Sequence, residues 1–163
     1  MKKIIVALLL SISLSMAEVK QALATPEFVN NTEMKIIDIR TKGEWINTGV
    51  IKDSYLLTFF DERGNYDVEG FLVKLDKIVN KDEEFALICR TGSRTGMVAN
   101  FLGEKLNYRV INLQGGLMKL FRDGFKPEFY ALLNRNSSLV RYDRTLQFLK
   151  VFLDIIRQHL VRY

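Results

Sequence analysis

Apolar positions along this chain change period several times, and each change predicts an element. Lys35-Ile-Ile-Asp-Ile39 is a compact run with β-branched residues and reads as a buried strand. Thr41 then suits a helix N-cap, with Glu44 completing a capping box, so a short helix passes through Trp45 and ends near Gly49. Ser54–Thr58 reads as a second strand. Phe71, Leu72, Leu75, Ile78 and Val79 recur at helical spacing, which predicts an amphipathic helix over Asp67–Asn80. Phe85–Ile88 is a third strand, followed by a loop and a helix from about Thr95 to Leu106. Arg109–Asn112 is a fourth strand. Gly115-Gly116 interrupts the chain before a short helix, Leu117–Arg122, that stops at Gly124. Ahead of all these, Glu18–Val29 reads as a short helix broken at Pro26.

Strands alternating with helices predict an α/β fold with a mainly parallel sheet covered by helices on both faces. Such sheets bind ligands at the carboxyl ends of their strands. The character changes from about Phe129. Asn134–Ser138 is linker-like, and Arg144–Tyr163 has a broad apolar face with Arg144, Lys150, Arg157 and Arg162 among it. That pattern predicts a C-terminal helical extension over 129–163. It would pack on the domain, form a homodimer with a second copy, or contact an anionic membrane surface.

The first 17 residues read as a cleavable signal peptide: Lys2 and Lys3, an apolar Ile4–Leu14, then Ser15-Met16-Ala17. The apolar run is shorter than the ~20 residues of a membrane-spanning helix. The expectation is export to the periplasm, with a mature chain starting near Glu18 and the formal charge falling from +5 to +3. The remaining basic residues are interleaved with acidic ones, which argues against nucleic acid as a partner.

Export sharpens the meaning of the cysteine count. Cys89 is the only cysteine, so it closes no intrachain disulfide. It lies at the carboxyl end of the third strand, in Cys89-Arg90-Thr91-Gly92-Ser93-Arg94-Thr95. Only a thiolate is a good nucleophile, and cations and helix N-termini favour it. Arg90 and Arg94 supply charge, and Gly92 permits the positive φ of an anion-binding nest. Thr91, Ser93 and Thr95 supply hydroxyls. The alternative is a buried, inert thiol that packs as a small hydrophobe. The sole histidine, His159, is in the tail, so the core has no Cys-His dyad and no cysteine–histidine metal set. No cofactor is implied. A nucleophile without a side-chain general base suits a substrate whose leaving group needs little protonation, as in sulfane-sulfur transfer.

Four segments together resemble a single rhodanese domain: Ile37-Asp-Ile-Arg40, Glu44-Trp45 with Gly49-Val-Ile51, Leu87–Thr95, and Val110–Gly116. The resemblance spans about Lys35 to Pro127, and the cysteine loop is its most specific part. It implies a rhodanese-like domain over 18–128, including the short N-terminal helix, with Cys89 as the persulfide-carrying nucleophile. Arg90 to Arg94 would cradle the persulfide and donor, and Thr95 would open the next helix. Asp38 and Arg40 would support the site, or act structurally through an i,i+4 pairing of Arg40 with Glu44 and a strand-end cap. Val50 stands where the family usually has histidine, Lys52-Asp-Ser54 replaces Pro-Gly-Ala, and Leu120 replaces an aromatic.

The leading expectation is a sulfurtransferase that takes sulfane sulfur from thiosulfate, polysulfide or a persulfide and passes it to a thiol or cyanide. One alternative is a non-enzymatic persulfide carrier or docking module. Another is a rhodanese-like phosphatase or arsenate reductase. Those enzymes carry one more residue between cysteine and arginine than the four found here.

Overall fold

The structure, a computed structural model, describes residues 19–130. The expected signal peptide, the C-terminal helix and His159 lie outside the described residues. Five strands form one sheet in the order β1-β5-β4-β2-β3. They are β1 (Lys20–Leu23), β2 (Ile36–Asp38), β3 (Tyr55–Leu56), β4 (Glu84–Ile88) and β5 (Arg109–Gln114). Every pairing is parallel. Four α-helices lie between successive strands, α1 (Pro26–Asn31), α2 (Lys42–Thr48), α3 (Val68–Leu75) and α4 (Ser93–Asn100), and α5 (Gly116–Arg122) follows β5.

The strand β1 corrects the helix expected over Glu18–Val29. Lys20–Leu23 pair with Ile111–Gln114 at the edge of the sheet, and Ala24 N–H continues the ladder to the Gln114 carbonyl at 2.9 Å. Three of the four β1 side chains are exposed, so the edge strand writes no apolar alternation into the sequence. Pro26 opens a helix instead of breaking one. It occupies the first helical turn, where its missing N–H costs nothing, and Thr25 Oγ1 accepts from Phe28 N–H at 3.2 Å.

The helix expected over Asp67–Asn80 is regular only to Leu75. Turns carry the chain on, with Ile78 and Val79 N–H groups donating to the Leu75 carbonyl, so the inward spacing persists past the helix end. The helix after the cysteine loop starts at Ser93, two residues earlier than expected, and continues as a π-helical turn through Phe101–Lys105.

Strand periodicity of two sorts β4 onto both faces of the sheet. Phe85, Leu87 and Cys89 join a core with Ile37, Ile39, Phe71, Leu75 and Val98. Ala86 and Ile88 join the opposite core with Ile111, Leu113, Leu117 and Leu120. The cysteine is therefore the next inward position after Leu87, one step beyond the strand end. Among the described residues no helix is long and apolar enough to cross a membrane, and no group of three acidic, histidine or cysteine side chains could hold a metal.

Candidate active site

The carboxyl ends of β4, β5 and β2 bring three segments together. The first is the loop from Cys89 to Gly92. Gly92 lies in the left-handed region (φ 92°) and turns the chain into α4. Its N–H donates to Cys89 Sγ at 3.2 Å. Thr95 Oγ1 lies 3.5 Å from Sγ and donates to the Gly92 carbonyl at 3.0 Å. The first-turn N–H groups of α4 have no partner inside the helix and face this end of it. The sulfur sits at the bottom of this loop and is fully covered. Its burial is that of a packed thiol; its polar neighbours are those of an anion site. Arg90, Thr91 and Ser93 are exposed above it.

The second segment is the Gly115-Gly116 turn at the end of β5. Leu117 and Met118 N–H groups donate to the carbonyls of Cys89 and Arg90, at 3.0 and 2.9 Å. The loop is thus held on the start of α5. The fit is too close for a side chain: a Cβ on Gly116 would lie 2.4 Å from the Cys89 carbonyl oxygen, at a φ of 53°. A Cβ on Gly92 would lie 2.9 Å from Gly115 N. Gly116→Ala is expected to cost about 2–3 kcal/mol, from overpacking and left-handed strain. Gly124 also has a positive φ but nothing within 4 Å. Gly124→Ala therefore isolates the strain component, about 1 kcal/mol. Urea unfolding of both variants checks this; equal costs would show that the contact with Cys89 is irrelevant.

The third segment is the N-terminal turn of α2. The capping box forms as expected: Glu44 N–H donates to Thr41 Oγ1 at 3.3 Å, and Thr41 N–H donates to the Glu44 carboxylate at 3.1 Å. Glu44 has a further partner that local sequence does not reveal. It accepts from both terminal nitrogens of Arg94, at 2.8 and 2.7 Å. Partial burial pushes the Glu44 carboxyl up. The Arg94 hydrogen bonds, the Thr41 N–H and the charges of Arg94 and Arg40 outweigh it, and the net value lies below the ordinary 4.5. A lowered carboxylate contributes stability above its unfolded value and loses it as pH falls through the folded one. The pair is therefore intact at neutral pH. Glu44 also raises the Arg94 guanidinium, with smaller contributions in the same sense from Cys89.

Asp38 and Arg40 lie beneath these segments, not among them. Both are buried and joined by a bidentate ion pair, with Nη2 to Oδ2 at 2.7 Å. Arg40 also donates to Thr48 Oγ1 and the Gly49 carbonyl, at 2.6 and 2.8 Å. The i,i+4 pairing of Arg40 with Glu44 does not form, because the intervening backbone is not helical until Lys42 and Asp38 already occupies the guanidinium. Arg40 instead fastens the end of α2 to the end of β2. Just beyond it, Val50 and Glu128 exchange backbone hydrogen bonds at 2.9 Å, and the Tyr130 ring lies 5.9 Å from that of Trp45.

A groove of about 550 Å³ opens elsewhere, lined by Met34, Lys35, Lys52, Asp53 and Lys126. It lies at the amino ends of β2 and β3, the opposite end of a parallel sheet from Cys89.

Residues 15–123 match the rhodanese-like domain family. A protein of Bacillus subtilis (strain 168) named "Putative sulfurtransferase YtwF" is 25% identical over 101 residues, which cover 62% of this chain and 86% of that protein. A rhodanese-like domain protein from Staphylococcus aureus is 21% identical, with 68% of this chain and 99% of that chain covered and a TM-score of 0.49. The rhodanese-like domain of an Anabaena protein is 11% identical, with 71% and 83% covered and a TM-score of 0.48. With its family match covering well over half the sequence, the chain belongs to the rhodanese-like domain family.

Proposed function

We propose that this protein is a sulfurtransferase that carries sulfane sulfur as a persulfide on Cys89. The observation that carries the reading is the sulfur itself: it ends a buried strand, receives the Gly92 N–H at 3.2 Å, and sits in a chain whose only histidine is remote in sequence from the loop. The Cys89 thiolate attacks the outer sulfur of thiosulfate, a new S–S bond forms, and sulfite leaves with the electron pair of the broken S–S bond. Cyanide or a thiolate then attacks the outer sulfur of the persulfide and returns the Cys89 thiolate. Neither step requires a proton to be moved by a side chain, which fits a loop that places no histidine or carboxylate against the sulfur among the described residues.

A persulfide extends about 2 Å beyond Sγ. Its outer sulfur would be held by backbone donors of the loop and the start of α4, and by Arg94. These groups are fixed before the reaction, so they stabilise developing charge without reorganising. The full coverage of Cys89 also favours a carrier reading, in which a shielded persulfide is handed to one partner.

The test is a panel of thiosulfate, polysulfide and a low-molecular-weight hydropersulfide with cyanide as acceptor, alongside mass spectrometry of the loaded protein. The expected result is repeated, Cys89-dependent thiocyanate formation with at least one donor. A one-sulfur adduct on Cys89 without turnover would select the carrier. No adduct and no thiocyanate with any donor would overturn both.

A further inference from the structure

We propose that Glu44 sets the donor preference of this site, so that it favours a hydropersulfide of a thiol over dianionic thiosulfate. The inference rests on the sulfur-transfer reading and narrows its substrate class. The cysteine loop carries two cations, Arg90 and Arg94, but they are not equally available. Arg94 commits both terminal nitrogens to Glu44, and the pair is only about a quarter exposed. Arg90 is exposed, and its side chain has no partner among the described residues. A second carboxylate lies against the first turn of α2: a Cβ on Gly43 would lie 2.8 Å from Glu62 Oε1. Of the two loop cations, one is therefore unpaired at the surface, and the other has its charge balanced by Glu44.

The donors differ in the charge they gather at that point. With thiosulfate, Cys–S⁻ and S–SO₃²⁻ become Cys–S–S⁻ and SO₃²⁻, so three negative charges meet at one sulfur–sulfur exchange. With a hydropersulfide, Cys–S⁻ and R–S–SH become Cys–S–SH and R–S⁻. The terminal sulfur keeps its proton, the electron pair of the broken bond leaves on R–S⁻, and one negative charge is present throughout. Fixed charges aimed at a water-poor centre discriminate strongly between these cases. A loop with a single unbalanced cation matches the second.

The experiment measures the rate at which Cys89 is loaded by thiosulfate and by glutathione hydropersulfide, each relative to the same donor acting on free cysteine, in the full-length protein. The wild type is expected to favour the hydropersulfide beyond the preference of free cysteine. Glu44→Gln retains an acceptor for Thr41 N–H and a neutral partner for Arg94 while removing the charge. It is expected to shift the ratio towards thiosulfate by about tenfold, which corresponds to about 1.4 kcal/mol. A ratio unchanged in Glu44→Gln would overturn the proposal and leave Glu44 as a helix cap and loop anchor. If that variant does not fold, a wild-type preference for thiosulfate over the free-cysteine baseline overturns it equally. Loading by neither donor would instead sink the sulfur-transfer reading beneath it.

Discussion

Cys89→Ser is expected to abolish sulfur transfer while leaving the protein folded. The hydroxyl is nearly the size of the thiol and meets the same neighbours. The Gly92 N–H, now 3.2 Å from Sγ, can donate to an oxygen, and Thr95 Oγ1 stays within reach. The loss of sulfur packing and the burial of a hydroxyl oppose that gain, for a net cost of about 1 kcal/mol. Chemistry does not survive the exchange, because an alcohol without a general base is a poor nucleophile and forms no persulfide. Donor-dependent thiocyanate formation is expected to fall at least about 10³-fold, the scale on which loss of a covalent nucleophile acts. The measurement is activity beside urea unfolding on the same preparation. Retained activity in a folded Cys89→Ser protein would rule out covalent sulfur transfer through this residue.

The site was legible where its determinants are local. Seven consecutive residues, Cys89 to Thr95, supply the thiol, the positive-φ glycine and the hydroxyls, and the structure brings Cys89, Gly92 and Thr95 together. The Thr41–Glu44 capping box was legible for the same reason. Glu44 as the partner of Arg94 was not. The two are 50 residues apart and meet only because β2 lies beside β4 in the sheet, an order that periodicity does not encode. The Glu44-Trp45 segment offered the one available signal, since it belongs to the family resemblance. Arg90 and Arg94 looked equivalent in sequence, yet one is exposed, its side chain without a partner among the described residues, and the other is paired with Glu44. The missed β1 failed on burial: a strand that pairs on one side and exposes three of four side chains has hydrogen bonds but no hydrophobic period.

Arg40→Ala is expected to be the most destabilising single change among the site's supporting residues, by about 3–5 kcal/mol, because it strands the Asp38 carboxylate in the interior. Asp38 is fully buried, and its side chain accepts from Arg40 through Nε, Nη2 and the backbone N–H. Truncation removes the two side-chain donors and opens a cavity where one of the largest buried side chains had been. It also releases Thr48 and Gly49, and with them the end of α2 that carries Glu44 to Arg94. A domain of ordinary stability, about 5–15 kcal/mol, would lose a large share of its margin. The apolar double variant Asp38→Leu with Arg40→Met is expected to recover much of the loss, since a buried pair replaced by packed hydrocarbon strands no charge. Urea unfolding of the single and double variants measures this. A single-variant cost below about 1 kcal/mol would show that water reaches the pair, contrary to its burial. Activity divides support from chemistry. No hydrogen bond of Arg40 reaches Cys89, so sulfur transfer per folded molecule should survive in the double variant far better than in Cys89→Ser, and a loss equal to that of Cys89→Ser would place Arg40 in the reaction itself.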